Sequence, residues 1–128
     1  MIVIDTSAMI AIMMDEPDSQ SLAATMLTED ERVISPVTLL ETTMVLSRTY
    51  SAPKAALDLY LRKATITVCA LDSAQAELAQ DAFLNYGKGR HAARLNIGDC
   101  FSYAAAKALN APLLYVGDDF GKTDIRTA

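Results

Sequence analysis

Carboxylates set far apart in the chain are the residues with chemistry to offer: Asp5, Glu41, Asp99 and the doublet Asp118-Asp119. Asp5 follows Ile2-Val3-Ile4 and precedes Thr6-Ser7, while Asp118 and Asp119 follow Leu113-Leu114-Tyr115-Val116-Gly117 and precede Phe120. Each context reads as a short buried strand delivering an acid at its carboxyl end. Two carboxylates about 5 Å apart repel by roughly 3 kcal/mol at an effective dielectric of about 20. Several together therefore raise their pKa values or hold a cation. An all-oxygen donor set favours Mg²⁺ or Mn²⁺.

Each acid also has a plainer reading. Asp5 could be a helix cap, although Ser7 is placed to supply that cap. Glu41 taken alone is a helical glutamate of the usually solvated kind. Asp99, in Gly98-Asp99-Cys100-Phe101, opens a helix whose dipole favours a negative charge there. The doublet could simply make a turn. Counting the acids together is what favours a common site.

The elements that must carry these residues alternate. Residues 2–4 suit a first strand, and Ser7 caps a helix running to about Met14. Asp18 caps a second helix ending near Leu27, and Val33-Ile34 reads as a short strand. Ser35-Pro36 is a strong helix start, Ser as cap and Pro at the first helical position, and the helix over residues 37–50 carries Glu41. Val37, Leu40 and Met44 form its expected inward stripe, continued by Ser47, with Glu41 beside it. A helix over residues 53–64 turns Leu57, Tyr60 and Leu61 inward, and residues 66–71 read as a strand. Asp72-Ser73 opens a helix that Gly87 closes, Asn96 to Asp99 sets up a helix over residues 100–109, and residues 113–116 form the last strand before a possible short edge strand around Ile125.

Strands alternating with helices indicate α/β architecture. Strands apolar on both faces belong to a parallel sheet covered on each side, and such sheets bind ligands beyond their carboxyl edges. That edge is where the acids fall.

A chain of 128 residues with 52% hydrophobic and 21% charged residues has the size and composition of one globular domain spanning residues 1–128. Its apolar stretches are too short to span a bilayer, and its start lacks the pattern of a signal peptide, so a cytoplasmic location is expected. Cys69 and Cys100 lack C-x-x-C spacing and read as reduced core thiols. A net charge of −5 opposes broad attraction to nucleic acid. Locally the pattern differs: Lys88, Arg90, His91 and Arg94 fall in an acid-free stretch that leads to Asp99. A polyanion gripped there would lie next to the acids. Gly87-Lys88-Gly89 lacks the remaining marks of a phosphate-binding loop and reads better as a helix end. His91, the one histidine, excludes a multi-histidine metal site.

Taken in order, Ile-Val-Ile-Asp5-Thr-Ser-Ala, Ser-Pro-Val-Thr-Leu-Leu-Glu41-Thr, the segment from Tyr86 through Gly98-Asp99-Cys-Phe-Ser-Tyr-Ala, and Leu-Leu-Tyr-Val-Gly-Asp118-Asp119-Phe-Gly-Lys-Thr-Asp124-Ile resemble a PIN domain, and more narrowly the VapC ribonuclease toxins of type II toxin–antitoxin systems. The resemblance runs nearly end to end. It implies a three-layer α/β/α sandwich with a central, mainly parallel sheet, and a Mg²⁺- or Mn²⁺-dependent endoribonuclease acting on structured RNA such as tRNA or rRNA. It further implies inhibition by a VapB-like antitoxin and assembly as a homodimer. On this pattern Asp5, Glu41, Asp99 and one of Asp118 and Asp119 form the catalytic quartet, the acid just before Phe120 being favoured. Asp5 and Asp99 would hold the metal directly. Lys88, Arg90 and Arg94 would position RNA, and Thr6 or Ser7 would bond a phosphate oxygen or a metal ligand. The competing expectation is a PIN-like module without catalysis that binds RNA or protein; the complete set of acids speaks against it.

Overall fold

The computed structural model describes residues 1–128. Four strands, β1 (Ile2–Ile4), β2 (Arg32–Ile34), β3 (Ile66–Val68) and β4 (Leu113–Leu114), form one sheet in the order β3-β2-β1-β4. All pairings are parallel, with Val3 opposite Val33 on one side and Leu113 on the other. The chain steps outward from β1 to β2 to β3 and then returns across β1 to place β4 beside it. The crevice between β1 and β4 is therefore the switch point at which such sheets hold ligands.

Six helices cover the sheet: α1 (Thr6–Met13), α2 (Ser19–Leu27), α3 (Pro36–Leu46), α4 (Pro53–Lys63), α5 (Ser73–Tyr86) and α6 (Ile97–Ala108). Strand residues alternate between the two faces. Ile2, Ile4, Ile34 and Leu114 pack in one apolar cluster with Met9, Met26, Leu46, Leu57 and Leu61. Val3 and Leu113 pack in a second with Leu95, Phe120 and the alanines of α5 and α6. Two cores on opposite faces of one sheet make the three-layer sandwich. The strands are shorter than expected at 66–71 and 113–116. The tail does return, through a parallel bridge between Thr127 and Leu113.

The α3 stripe is corrected. Leu40 and Met44 are 61% and 58% exposed, whereas the buried positions of α3 are Thr38, Thr42 and Leu46. The reason lies in α3's neighbour. α6 turns Ser102 toward Thr38, with the two hydroxyls 3.4 Å apart, and its start lies against the Glu41 carboxyl at Gly98. The Thr38 hydroxyl has a partner in Ser102, and that of Thr42 has none. Met9 and Met26 are core residues, while Met14 lies at the surface. Gly87 ends α5 with φ −68°, so it serves space rather than a left-handed turn: a Cβ there would strike the Phe83 ring and carbonyl. No helix is long and apolar enough to cross a membrane.

Candidate active site

At the end of β1, Asp5 takes the N-cap position of α1, its backbone extended and its Oδ2 accepting from the Ser7 N–H at 2.9 Å. This reverses the expected assignment of the cap to Ser7. The cap acceptor comes from the extended residue that precedes the helix, two or three positions before the N–H it receives. Ser7 works on the other side of the bond: its hydroxyl also donates to Asp5 Oδ2 at 2.6 Å and accepts from the Val116 N–H at 3.0 Å. The ends of β1 and β4 are thereby tied together. Asp5 Oδ1 accepts from the Ser102 hydroxyl at 2.5 Å, and Asp5 is 3% exposed.

Glu41 reaches the same place from α3. Thr6 Oγ1 donates to its Oε1 at 2.9 Å. Its carboxyl closes so tightly over the start of α6 that a Cβ at Gly98 would collide with all three carboxyl atoms. Glycine leaves the Glu41 carboxyl room for this close approach, which a Cβ would force to move. Burial raises the Glu41 pKa, the Asp5 charge adds to the rise, and the Thr6 bond opposes it.

Asp99 is the third residue of α6 rather than its opener. Its Oδ2 accepts from the Asn96 N–H at 3.0 Å, and Asn96 Oδ1 accepts from the Asp99 N–H at 2.9 Å, a reciprocal capping box that pins both side chains. Burial is the main reason its pKa is pushed up to about 6; the charges of Asp5, Glu41 and Asp119 add to this, and the Asn96 bond opposes it. Asp5, Glu41 and Asp99 therefore converge on one face. Of the doublet, Asp119 is the member whose charge reaches Asp99. Both stand exposed in the loop after β4, and Asp119 makes no side-chain cap bond to the short helical turn it precedes.

The donor set is all carboxylate, with no histidine or thiol among it, which fits a hard cation such as Mg²⁺ or Mn²⁺. No three His, Cys, Asp or Glu side chains are drawn together tightly enough to cage an ion. An ion that keeps its own waters and uses one or two carboxylates needs no such cage. The mutual influence of the acids on Asp99 and the hard-oxygen chemistry are the features that fit the cation.

The basic residues lie on a neighbouring loop. Its ends are pinned where Lys88 N–H donates to the Leu95 carbonyl at 2.9 Å and Leu95 N–H to the Tyr86 carbonyl at 3.0 Å. Lys88, Arg90 and Arg94 are exposed and form no ion pair. Arg90 Nε donates to the Leu84 carbonyl, and its guanidinium lies 5.8 Å from the centre of the Phe83 ring. His91 is occupied structurally: its Nδ1 accepts from the Ala93 N–H and its ring meets Tyr86 edge to face. Thr6 and Ser7, expected to face phosphate or metal ligands, spend their hydroxyls on Glu41 and Asp5.

Two residues of the site carried no signal of their own in the sequence, Ser102 and Thr38. Their hydroxyls stand 3.4 Å apart in the buried seam between α3 and α6. The usable clue was spacing, since Ser102 lies one helical turn after Asp99. Asp124 plays a different part. Against the opposing effect of burial, bonds from Lys107 and Tyr103, at 2.7 and 2.6 Å, hold its carboxyl below its ordinary value and fasten the tail to α6. An apolar groove of about 800 Å³ runs between α5 and the start of α6, lined by Phe83, Leu84, Ile97 and Phe101; none of the clustered acids lines it.

Residues 2–126 match the PIN domain family model. Among curated proteins, the chain is 45% identical over 124 residues to the ribonuclease VapC of Mycolicibacterium smegmatis, covering 96% of both chains. Among solved structures it is similar to VapC20 of Mycobacterium tuberculosis, described as a sarcin-ricin loop cleaving toxin, with a TM-score of 0.78 at 19% identity, covering 100% of this chain and 98% of that one. It is similar as well to a toxin–antitoxin complex from Klebsiella pneumoniae, with a TM-score of 0.76 at 16% identity over 97% and 93% of the respective chains. The chain belongs to the PIN-domain family, within its VapC type.

Proposed function

We propose that this chain is a metal-dependent endoribonuclease toxin that cleaves structured RNA, tRNA or rRNA, and is silenced by a VapB-like antitoxin. The observation that carries the reading is the convergence of Asp5, Glu41 and Asp99 from three separate elements, with Asp119 close enough to act on Asp99. The 45% identity to a VapC ribonuclease supports the activity, and the likeness to a chain of a solved toxin–antitoxin complex supports an inhibitory partner. Assembly as a homodimer and a cytoplasmic location belong to the same proposal.

Asp5 and Asp99 would hold Mg²⁺ or Mn²⁺, with Glu41 and Asp119 completing the site through water. The ion supplies charge neutralisation, polarisation of the scissile phosphate and a lowered pKa for the attacking water. Glu41, half-buried and oriented by Thr6, is the carboxylate that would accept a proton from the attacking water. Lys88, Arg90 and Arg94 would bind the RNA backbone by charge, which positions the strand without reading its sequence.

The test is cleavage of total RNA by the purified chain, with and without Mg²⁺, followed by mapping of the new RNA ends. Discrete new ends that require Mg²⁺ and vanish with a chelator are expected. An RNA-binding protein that generates no ends with either Mg²⁺ or Mn²⁺ would instead establish the non-catalytic module.

A further inference from the structure

Asp5 has more donors than a helix cap needs. A carboxylate offers about four acceptor positions. Oδ2 already receives two bonds, from the Ser7 N–H and hydroxyl, and Oδ1 receives one from Ser102. One position remains, on Oδ1. A cation reaching Asp5 is therefore confined to one lone pair of one oxygen, and the hydroxyl of Ser102 decides which.

The direction of that hydroxyl is itself constrained. Ser102 has one proton, and it is given to Asp5. Thr38 Oγ1, 3.4 Å from Ser102 Oγ, can join the chain only by donating to Ser102. The order runs Thr38 to Ser102 to Asp5, inside a seam where Thr38 is 1% and Ser102 0% exposed. Water has no place there to substitute for either donor. Ser102 also shares α6 with Asp99 at one-turn spacing, so one rigid helix presents an acid and, beside it, the group that orients the acid of β1.

We propose that Ser102 is a positioning residue that fixes the Oδ1 lone pair of Asp5 toward the carboxylate cluster, with Thr38 orienting Ser102 from behind. The inference rests on the metal-dependent reading above. Ser102 touches neither substrate nor ion and acts wholly through Asp5.

The experiment is Mn²⁺ titration of the purified chain by calorimetry, in parallel with steady-state RNA cleavage and thermal unfolding. Ser102→Ala should weaken Mn²⁺ binding about tenfold, the low end for loss of a group that orients a metal ligand, and lower kcat with KM for RNA unchanged. Ser102→Thr, which keeps the hydroxyl, should recover most of the Mn²⁺ affinity. Thr38→Val should weaken binding in the same direction by a smaller factor. Thr42→Val is the packing control, because the Thr42 hydroxyl is buried without a partner on the same helix; its Mn²⁺ affinity should equal that of the unmodified chain. Should Ser102→Thr fold poorly, the Ser102→Ala/Thr38→Val double variant replaces it, and its loss should not exceed that of Ser102→Ala by more than about twofold, as expected for groups acting in one chain. Unchanged Mn²⁺ affinity in Ser102→Ala, or an equal loss in Thr42→Val, would overturn the role of Ser102 while leaving the nuclease reading in place. Absence of Mn²⁺ binding by the unmodified chain is a separate result, and would remove the metal reading and this inference with it.

Discussion

Two strands of the same sheet lead into aspartates, β1 directly into Asp5 and β4 through Tyr115-Val116-Gly117 into Asp118 and Asp119, and the two places are built for different work. After β1, Asp5 is 3% exposed and held by three donors from two elements. After β4, Asp118 and Asp119 stand exposed in a loop that passes through Gly117 at φ +96°, and neither has a recorded side-chain bond. The first acid is oriented before any ligand arrives, and most of its ordering entropy is already spent in folding. The second can move onto a ligand and pays for its ordering then. The contrast shows that a strand-end acid is not one kind of residue: its preparation depends on what packs over it. α1 and α6 cover Asp5, and nothing equivalent covers the doublet.

Removing charge from the prepared acid should cost most. Asp5→Asn is expected to lower RNA cleavage by roughly a hundred- to a thousandfold, the scale seen when one preorganised electrostatic group is lost, with the fold retained by circular dichroism. Cleavage within about twofold of normal would show that the buried acid is merely a cap. Gly98→Ala comes next. Its Cβ must displace the Glu41 carboxyl, and a misplacement of about 1 Å can cost on the order of a hundredfold; an unaltered rate would mean that Glu41 has no part in the reaction.

A smaller effect separates the two members of the doublet. Asp119→Asn should reduce cleavage by about tenfold and lower the Asp99 pKa, since the Asp119 charge is one of those raising it. Asp118→Asn should do neither. Measuring the Asp99 carboxyl titration by NMR in both variants decides the assignment, and the reverse pattern would hand the role to Asp118.

The last prediction concerns pH. Folding raises the Asp99 pKa from an ordinary 3.8 to about 6, so the folded state binds the proton more tightly than the unfolded one. Below about pH 4 both states are protonated and Asp99 costs nothing. Between about pH 4 and pH 6 the unfolded state gives up its proton while the folded state keeps it, so stability falls across this interval and levels off once the folded carboxyl has ionised. Metal-free protein should lose a modest amount of thermal stability across that window, and Mg²⁺ should restore part of it by binding the ionised form. A melting temperature that climbs over the same interval and ignores Mg²⁺ would contradict this account of the cluster.

Much of the fold was legible along the chain. Ile2-Val3-Ile4 and Leu113-Leu114 are apolar at every position, which only a strand buried on both faces requires, and Ser35-Pro36 marked the start of α3 correctly. The helix face of α3 was not legible. Hydrophobicity pointed to Leu40 and Met44, while the buried side is built on Thr38 and Thr42. Thr38 faces Ser102 of α6 across a buried seam, a pairing that no property of α3 encodes.

The same division runs through the site. The identity of the acids, their places at strand ends and helix starts, and the all-oxygen character of the cluster follow from residue type and local pattern, which are properties of short segments. How those acids are brought together, what a side chain at residue 98 would meet, and how Ser7 and Ser102 divide the oxygens of Asp5 were decided only in three dimensions. These depend on contacts between residues as far apart as Asp5 and Ser102, and a hydrogen bond is set by distance and direction in space rather than by position along the chain.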